Sequence, residues 1–542
     1  MHRSRLLPLL VLPFFALAAL ALSGCATSQT AVSADTEFKP NEGLVAVRVV
    51  ELGDVPIKRF SVVSETTGEV YPMRAIQFGQ TSATTYVGRL PAGRYQPMEM
   101  WGTAFDRSRN PNVSVSGGVV NISVPTVTVK VPLASLTGKF DVQDRRITDL
   151  GTVFFVPTLS PKSRGGDGGS NFSFALPLSP IAVPTEALVQ ARFPALAKAI
   201  EGRSALSWVS GTVPLPPQQI LDAARQRVVA LTKPTFAADG AMLTGGAMGV
   251  IDRYDRGGLS VRRVWIDTPH AIEAVVVLQD GRWLAGGEEG FLAMSTDSGA
   301  SWLPLPRLSP ENVVIHLSQA ADRRIFMVVD RDREAVVYQA LPTASTTLEW
   351  KELRRLPSER EQGAMTQEFG EAKKFLRDHV AVTDNRLVVY TRPGTLHSFD
   401  VRSGAWESNE APFRSFHSGL KATPDGLVIG MVAQHWIYTT LDYGRTWTRM
   451  ESFVHMTEPH FIDRQRGVVL AAELSMMLPG PYKIRTTQDG GKTWNSGAQA
   501  GGAPELMQRL WTDPSGKTLY RVHQKRIESS TNQGQSWTQQ RN

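Results

Sequence analysis

The chain has 542 residues, a formal net charge of +7, and 58 Lys and Arg against 51 Asp and Glu. The basic residues are scattered, which excludes a nucleic-acid interface built on a coherent basic patch. Cys25 is the single cysteine, so a disulfide framework and a cysteine-based metal site are excluded, and no cofactor is expected.

Residues 1–24 open with Arg3 and Arg5, followed by an apolar stretch from Leu6 to Leu22 interrupted by Pro8 and Pro13. This is the layout of a secretory signal. The segment Leu22-Ser23-Gly24-Cys25 resembles a bacterial lipobox. The resemblance implies cleavage before Cys25, a diacylglyceryl thioether on its sulfur and an acylated new N-terminus, a firm membrane anchor. An uncleaved helix or an ordinary signal peptide is the alternative. Ala26 and Thr27 follow, with no Asp directly after the cysteine. That sorting pattern implies the outer membrane, with the protein facing the periplasm. Residues 25–42 read as a flexible tether. No later window has the roughly 18 apolar residues of a membrane span.

Residues 43–158 alternate short apolar strands with Gly, Pro and Asn turns, as in Leu44–Leu52, Thr85–Trp101, Val119–Pro132 and Leu150–Pro157. The pattern predicts a β-sandwich. The piece LPAGRY (Leu90–Tyr95) resembles an element of prealbumin-like domains, which implies a spacer or docking module. Residues 159–230 form a linker and helical module. Ser160–Asn171 is Gly-rich but lacks the Gly-Lys-Ser/Thr continuation of a phosphate-binding loop. Thr185 caps a helix that Pro194 kinks, and a second helix starts near Pro217.

Residues 231–542 carry a repeat. Ser295–Trp302 (STDSGASW), Thr440–Trp447 (TLDYGRTW), Thr487–Trp494 (TQDGGKTW) and Ser530–Trp537 (STNQGQSW) share the template S/T-x-D-x-G-x-[ST]-W, with Asn532 in the Asp position of the last. The short acidic side chain suits hydrogen bonds from backbone N–H groups a few residues on. The glycine supplies a left-handed conformation cheaply. The Trp anchors the turn against a neighbouring sheet. Trp265, Trp350 and Trp406 continue the series, giving spacings of 37, 48, 56, 41, 47 and 43 residues. Blades of a propeller run about 40–50 residues. The expected architecture is therefore a mainly β chain ending in a propeller of about seven blades, six and eight being the alternatives. Thr366–His379 reads as a short helical insertion in the widest interval.

The repeat resembles the Asp-box, or BNR repeat, of sialidases, sortilin-type receptors and photosystem II assembly-factor propellers. In those families the box lies on the blade periphery. The resemblance implies structural roles for Asp297, Gly299, Trp302, Asp442, Gly444, Trp447, Asp489, Gly491, Trp494, Asn532, Gly534 and Trp537. Sialidases of this kind also carry an Arg-Ile-Pro motif; the nearest approach here is Arg324-Ile325-Phe326. No catalytic residue is assigned. Glu288 and Glu289, in a GEEG turn, are expected to be solvated. His270, His316, His379, His417 and His460 recur about once per blade, near the predicted innermost strands. They define a channel ring able to hold an anion, a metal or a partner, or else are ordinary turn histidines. The expected function is a lipid-anchored, non-catalytic platform for another envelope protein. The alternative is a glycan-binding or sialidase-like surface protein.

Overall fold

The computed structural model describes residues 32–539 except 34, 52–56, 77–82, 106–111, 117–118, 124–125, 134–137, 160–171, 176–177, 180–184, 205–217, 229, 231, 256–259, 332, 343–346, 359–378, 393, 414–417, 433–435, 451–458, 476–477, 500–509, 514, 524–525 and 533. Cys25, His417, the Ser160–Asn171 loop and all of the Thr366–His379 insertion but its last residue lie outside the described residues. The chain divides into two compact units, one ending at Arg227 and one beginning at Val228. No described helix is long and apolar enough to cross a membrane.

The first unit is built on β1 (Glu42–Glu51), β2 (Ile57–Ser64), β3 (Val70–Ile76), β4 (Ala83–Pro91), β5 (Gly93–Phe105), the hairpin β6 (Asn112–Ser116) and β7 (Val119–Ser123), β8 (Thr126–Pro132), β9 (Phe140–Val142) and β10 (Arg146–Leu159). β3 turns the corner of the sandwich: Val70 to Met73 pair with β2, whereas Arg74 to Ile76 pair with β4. Val45, Val47 and Val49 alternate along β1 into one core with Phe60, Tyr86, Met100, Phe140 and Phe155. The intervening Leu44, Ala46, Arg48 and Val50 are buried too. Burial on both faces matches the parallel pairing of β1 with β10.

Residues 159–230 contribute more than helices. They add β11 (Phe172–Ala175), β12 (Leu178–Ser179) and β13 (Gly202–Ser204), all paired with β10. The helices are α1 (Thr185–Arg192), α2 (Pro194–Ala199) and α3 (Gln218–Arg227). What reads as one kinked helix is two, broken at Phe193, because Pro194 has no N–H to continue the ladder. The Thr185 hydroxyl donates to the buried Asp149 carboxylate at 2.6 Å.

The second unit is a propeller of seven four-stranded antiparallel blades, spanning 235–265, 272–304, 313–357, 380–410, 418–450, 460–499 and 510–539. Each blade uses consecutive strands, so among the described residues no strand is exchanged between the first and last blades. Closure rests on side chains instead. Every neighbouring pair of blades shares its own apolar core, including blades 7 and 1 through Met242, Tyr254, Trp511, Tyr520 and Ile527. The repeated Trp residues follow one rule. Trp302, Trp350, Trp406, Trp447, Trp494 and Trp537 each pack into the interface with the preceding blade. That is the natural use of a large apolar side chain at the start of an outer strand.

Candidate functional site

A four-stranded meander has two ends. The turns between strands 1 and 2 and between strands 3 and 4 share one end, here the turn end. The turns between strands 2 and 3, with the connections to the next blade, share the other, the loop end.

At the turn end, the four repeat segments adopt one hydrogen-bonded arrangement. In blade 5 the Thr440 hydroxyl donates to Asp442 at 2.7 Å and accepts from Gly444 N–H at 2.9 Å. Asp442 in turn accepts from the N–H and hydroxyl of Thr446 at 2.9 and 2.6 Å. Asp297 and Asp489 make the same set. Asn532 keeps the Ser536 N–H bond at 3.0 Å, and its amide donates to the Ser536 hydroxyl. Hydrogen bonds from Ser301 and Thr493 hold Asp297 and Asp489 down to about 2. For Asp442, burial pushes upward but the Thr446 bonds outweigh it and its pKa is lowered. Gly299, Gly444, Gly491 and Gly534 all sit at positive φ, between 82° and 94°. The aspartates, Asn532 and the glycines therefore complete turns, and the tryptophans complete an interface between blades.

A second sevenfold pattern lies beside the first. Every turn between strands 1 and 2 carries an aspartate: Asp239, Asp280, Asp322, Asp384, Asp425, Asp463 and Asp513. Six of them accept hydrogen bonds from neighbouring backbone N–H groups. Arg282, Arg324 and Arg466 pair with their own turn's carboxylate at 2.7, 2.6 and 2.6 Å. Arg324 also donates to Val401 O in the next blade, which gives Arg324-Ile325-Phe326 a stapling role. The signal was in the sequence, since an Asp ends each first strand.

The loop end of blade 2 corrects one expectation. Glu288 and Glu289 are buried, at 0% and 5% exposure, not solvated. The GEEG turn folds back onto the connection from blade 1: Glu288 accepts from Ala271 N–H at 3.2 Å, and Glu289 takes φ 54°. Blade 1 repeats the geometry at Ala247–Gly249, with Met248 at φ 56°. His270, fully buried, lies between Arg307, 2.8 Å from its Nε2, and Glu289, 3.7 Å from its Nδ1. A guanidinium only donates, so Nε2 accepts and the ring proton is assigned to Nδ1, facing Glu289. An imidazole held this way cannot act as a base until Arg307 leaves. Arg307 also lies 5.5 Å over the Phe291 ring.

His270 belongs to this rim cluster. His316 lies within the innermost strand of blade 3 (Val313–Gln319), His379 directly precedes that of blade 4 (Val380–Val382), and His460 opens that of blade 6 (His460–Phe461). Enclosure by the surrounding blades pushes all three imidazoles down to about 3, with help from Lys233 for His316, Arg392 and Lys233 for His379, and Lys421 for His460. At neutral pH they are uncharged. Among the described residues no group of three or more His, Cys, Asp or Glu side chains could hold a metal ion.

The fold defines the class: a seven-bladed β-propeller. No protein-family model matches the chain, and no curated protein matches it. Solved structures do. A structure of YCF48 bound to D1 peptide is 14% identical, covering 54% of this chain and 88% of that one, with TM-score 0.41. The β-propeller domain of Cps50 (Swd1) from Myceliophteria thermophila is 13% identical, covering 56% and 97%, with TM-score 0.39. A streptogramin B lyase is 13% identical, covering 56% and 95%, with TM-score 0.38. At these levels the likeness concerns the propeller fold.

Proposed function

We propose that this chain is a lipid-anchored envelope protein whose propeller is a non-catalytic platform for another envelope protein, engaged at the loop end of blades 2 to 4. The observation that carries the reading is the division of charge between the two ends. At the turn end six of the seven turn aspartates accept backbone hydrogen bonds, and Arg282, Arg324 and Arg466 pair with three of them. The loop end gathers Arg307, Arg331, Arg333 and Arg392 on neighbouring connections. Arg307 and Arg333 are exposed. Arg331 is held by Glu311 at 2.6 Å and lies 3.7 Å from Glu334, which fixes its place in the patch. A rigid scaffold presenting charged loops on one end suits recognition of a partner surface.

The anchor part of the reading rests on Cys25 and its lipobox-like context. On this reading the protein sits at the outer membrane, facing the periplasm. Affinity purification of the anchored protein after in-cell crosslinking tests the platform. Recovery of a defined envelope protein, lost in Arg307→Ala/Arg333→Ala, supports it. Specific hits on a glycan array with no crosslinked protein would favour the glycan-binding alternative. Labelling with a palmitate analogue, lost in Cys25→Ser, tests the anchor separately.

A further inference from the structure

Blade 1 and blades 4 and 5 stand on opposite sides of the ring. Lys233 precedes the first strand of blade 1, and the adjacent Thr232 is tied to that blade's Gly245 in both directions, at 3.2 and 2.5 Å. Yet the Lys233 ammonium donates to Val380 O at 2.5 Å and lies 3.5 Å from Leu420 O, on the innermost strands of blades 4 and 5. Those contacts put a cation across the central channel.

Few ionisable groups stand on the innermost strands: Glu273 on blade 2, His316 on blade 3, Lys421 on blade 5 and His460 on blade 6. Glu273 is the extra residue of a bulge and is buried. Lys421 reaches across to Pro459 O of the next blade at 3.3 Å. His316 Nε2 and His460 Nδ1 are buried atoms without a hydrogen-bond partner among the described residues. A buried ring nitrogen with no partner is costly. Each ring also feels the charge of an ammonium, Lys233 at His316 and Lys421 at His460, which keeps it neutral.

We propose that the channel between blades 3 and 6 binds a small oxyanion, a phosphate or carboxylate group, held by the Lys233 ammonium and by the ring N–H of His316, with Lys421 and His460 extending the site. A cation is disfavoured there by the two ammonium groups. An oxyanion supplies acceptors for the ring nitrogens, and its attraction to the lysines strengthens where water is excluded. The proposal does not rest on the platform reading.

The test is thermal unfolding and titration calorimetry of the full propeller-containing chain with inorganic phosphate, and with acetate, each against chloride at equal ionic strength. Phosphate is expected to raise Tm saturably by a few degrees, with acetate weaker if the site prefers a dianion. Lys233→Met removes the shift, and His316→Gln weakens binding about tenfold or more. Arg445→Ala, at the exposed turn end, leaves it unchanged. Should Lys233→Met fail to fold, Lys233→Arg and His316→Gln carry the decision: Lys233→Arg keeps the shift and His316→Gln loses affinity. Equal Tm in phosphate, acetate and chloride for the wild-type chain, or unchanged affinity in His316→Gln, overturns the proposal.

Discussion

The Phe236 ring of blade 1 lies 6.2 Å from the Tyr520 ring of blade 7. With no strand shared between these blades among the described residues, this aromatic contact and its neighbours hold the ring shut.

Tyr520 is fully buried in that closing interface. Tyr520→Ala is expected to cost about 3–5 kcal/mol, the usual loss for emptying a large aromatic site. Urea unfolding should show the loss, and limited proteolysis should cut first within blades 1 and 7. A substitution in an internal interface, such as Phe399→Ala between blades 3 and 4, should not expose those two blades.

Asp442 organises its turn through the Thr446 N–H and hydroxyl. Asp442→Ala should destabilise the propeller by about 1–2 kcal/mol, as for loss of a helix-capping side chain. Asp442→Asn should cost less than half of that, because Asn532 already maintains the same turn in blade 7. Denaturant midpoints of the two variants check the ordering.

Two positive-φ glycines should respond differently to alanine. A Cβ added at Gly281 (φ 87°) would meet open space, whereas one added at Gly290 (φ 65°) would lie 2.6 Å from Leu308 O. Gly281→Ala carries only the conformational cost, about 1 kcal/mol. Gly290→Ala must also displace the backbone that shapes the buried Glu288–Gly290 turn, and should lose at least twice as much. Calorimetric unfolding of the pair measures the difference.

His316, His379 and His460 have folded pKa values near 3 against an ordinary 6.5. As pH falls below 6.5 the unfolded chain takes up protons that the folded chain refuses. Stability is therefore full above pH 7 and falls between about pH 6.5 and 3, by at most about 1.4 kcal/mol per pH unit for each histidine. Asp297 and Asp489, held near 2, add a separate loss only below about pH 4. Urea unfolding at pH 7.5 and 5.0 should show the first window, and His379→Phe should shrink it by about a third.

Local chemistry made the propeller legible. Each boxed turn is a self-contained set of hydrogen bonds within eight residues, so Asp442, Gly444 and Thr446 could be read without knowing what surrounds them. The Trp series worked because each anchor serves the same interface with the preceding blade. Distant partners leave no such local trace. Glu288 and Glu289 look like a solvated turn, and only the connection through His270 and Ala271 buries them. Lys233 looks like a linker residue, and its contacts on blades 4 and 5 lie 147 and 187 positions away. The histidines recur at blade spacing, yet His270 enters a rim cluster because the bulges and connections differ from blade to blade.

On the proposed function a protein partner docks at the loop end and not at the turn end. Site-specific photocrosslinking in cells, with the photoreactive residue placed at Arg333 in one variant and at Arg445 beside a boxed turn in another, addresses it directly. A discrete crosslinked envelope protein is expected from position 333 and none from position 445. Equal capture from both positions, or capture from 445 alone, would contradict it.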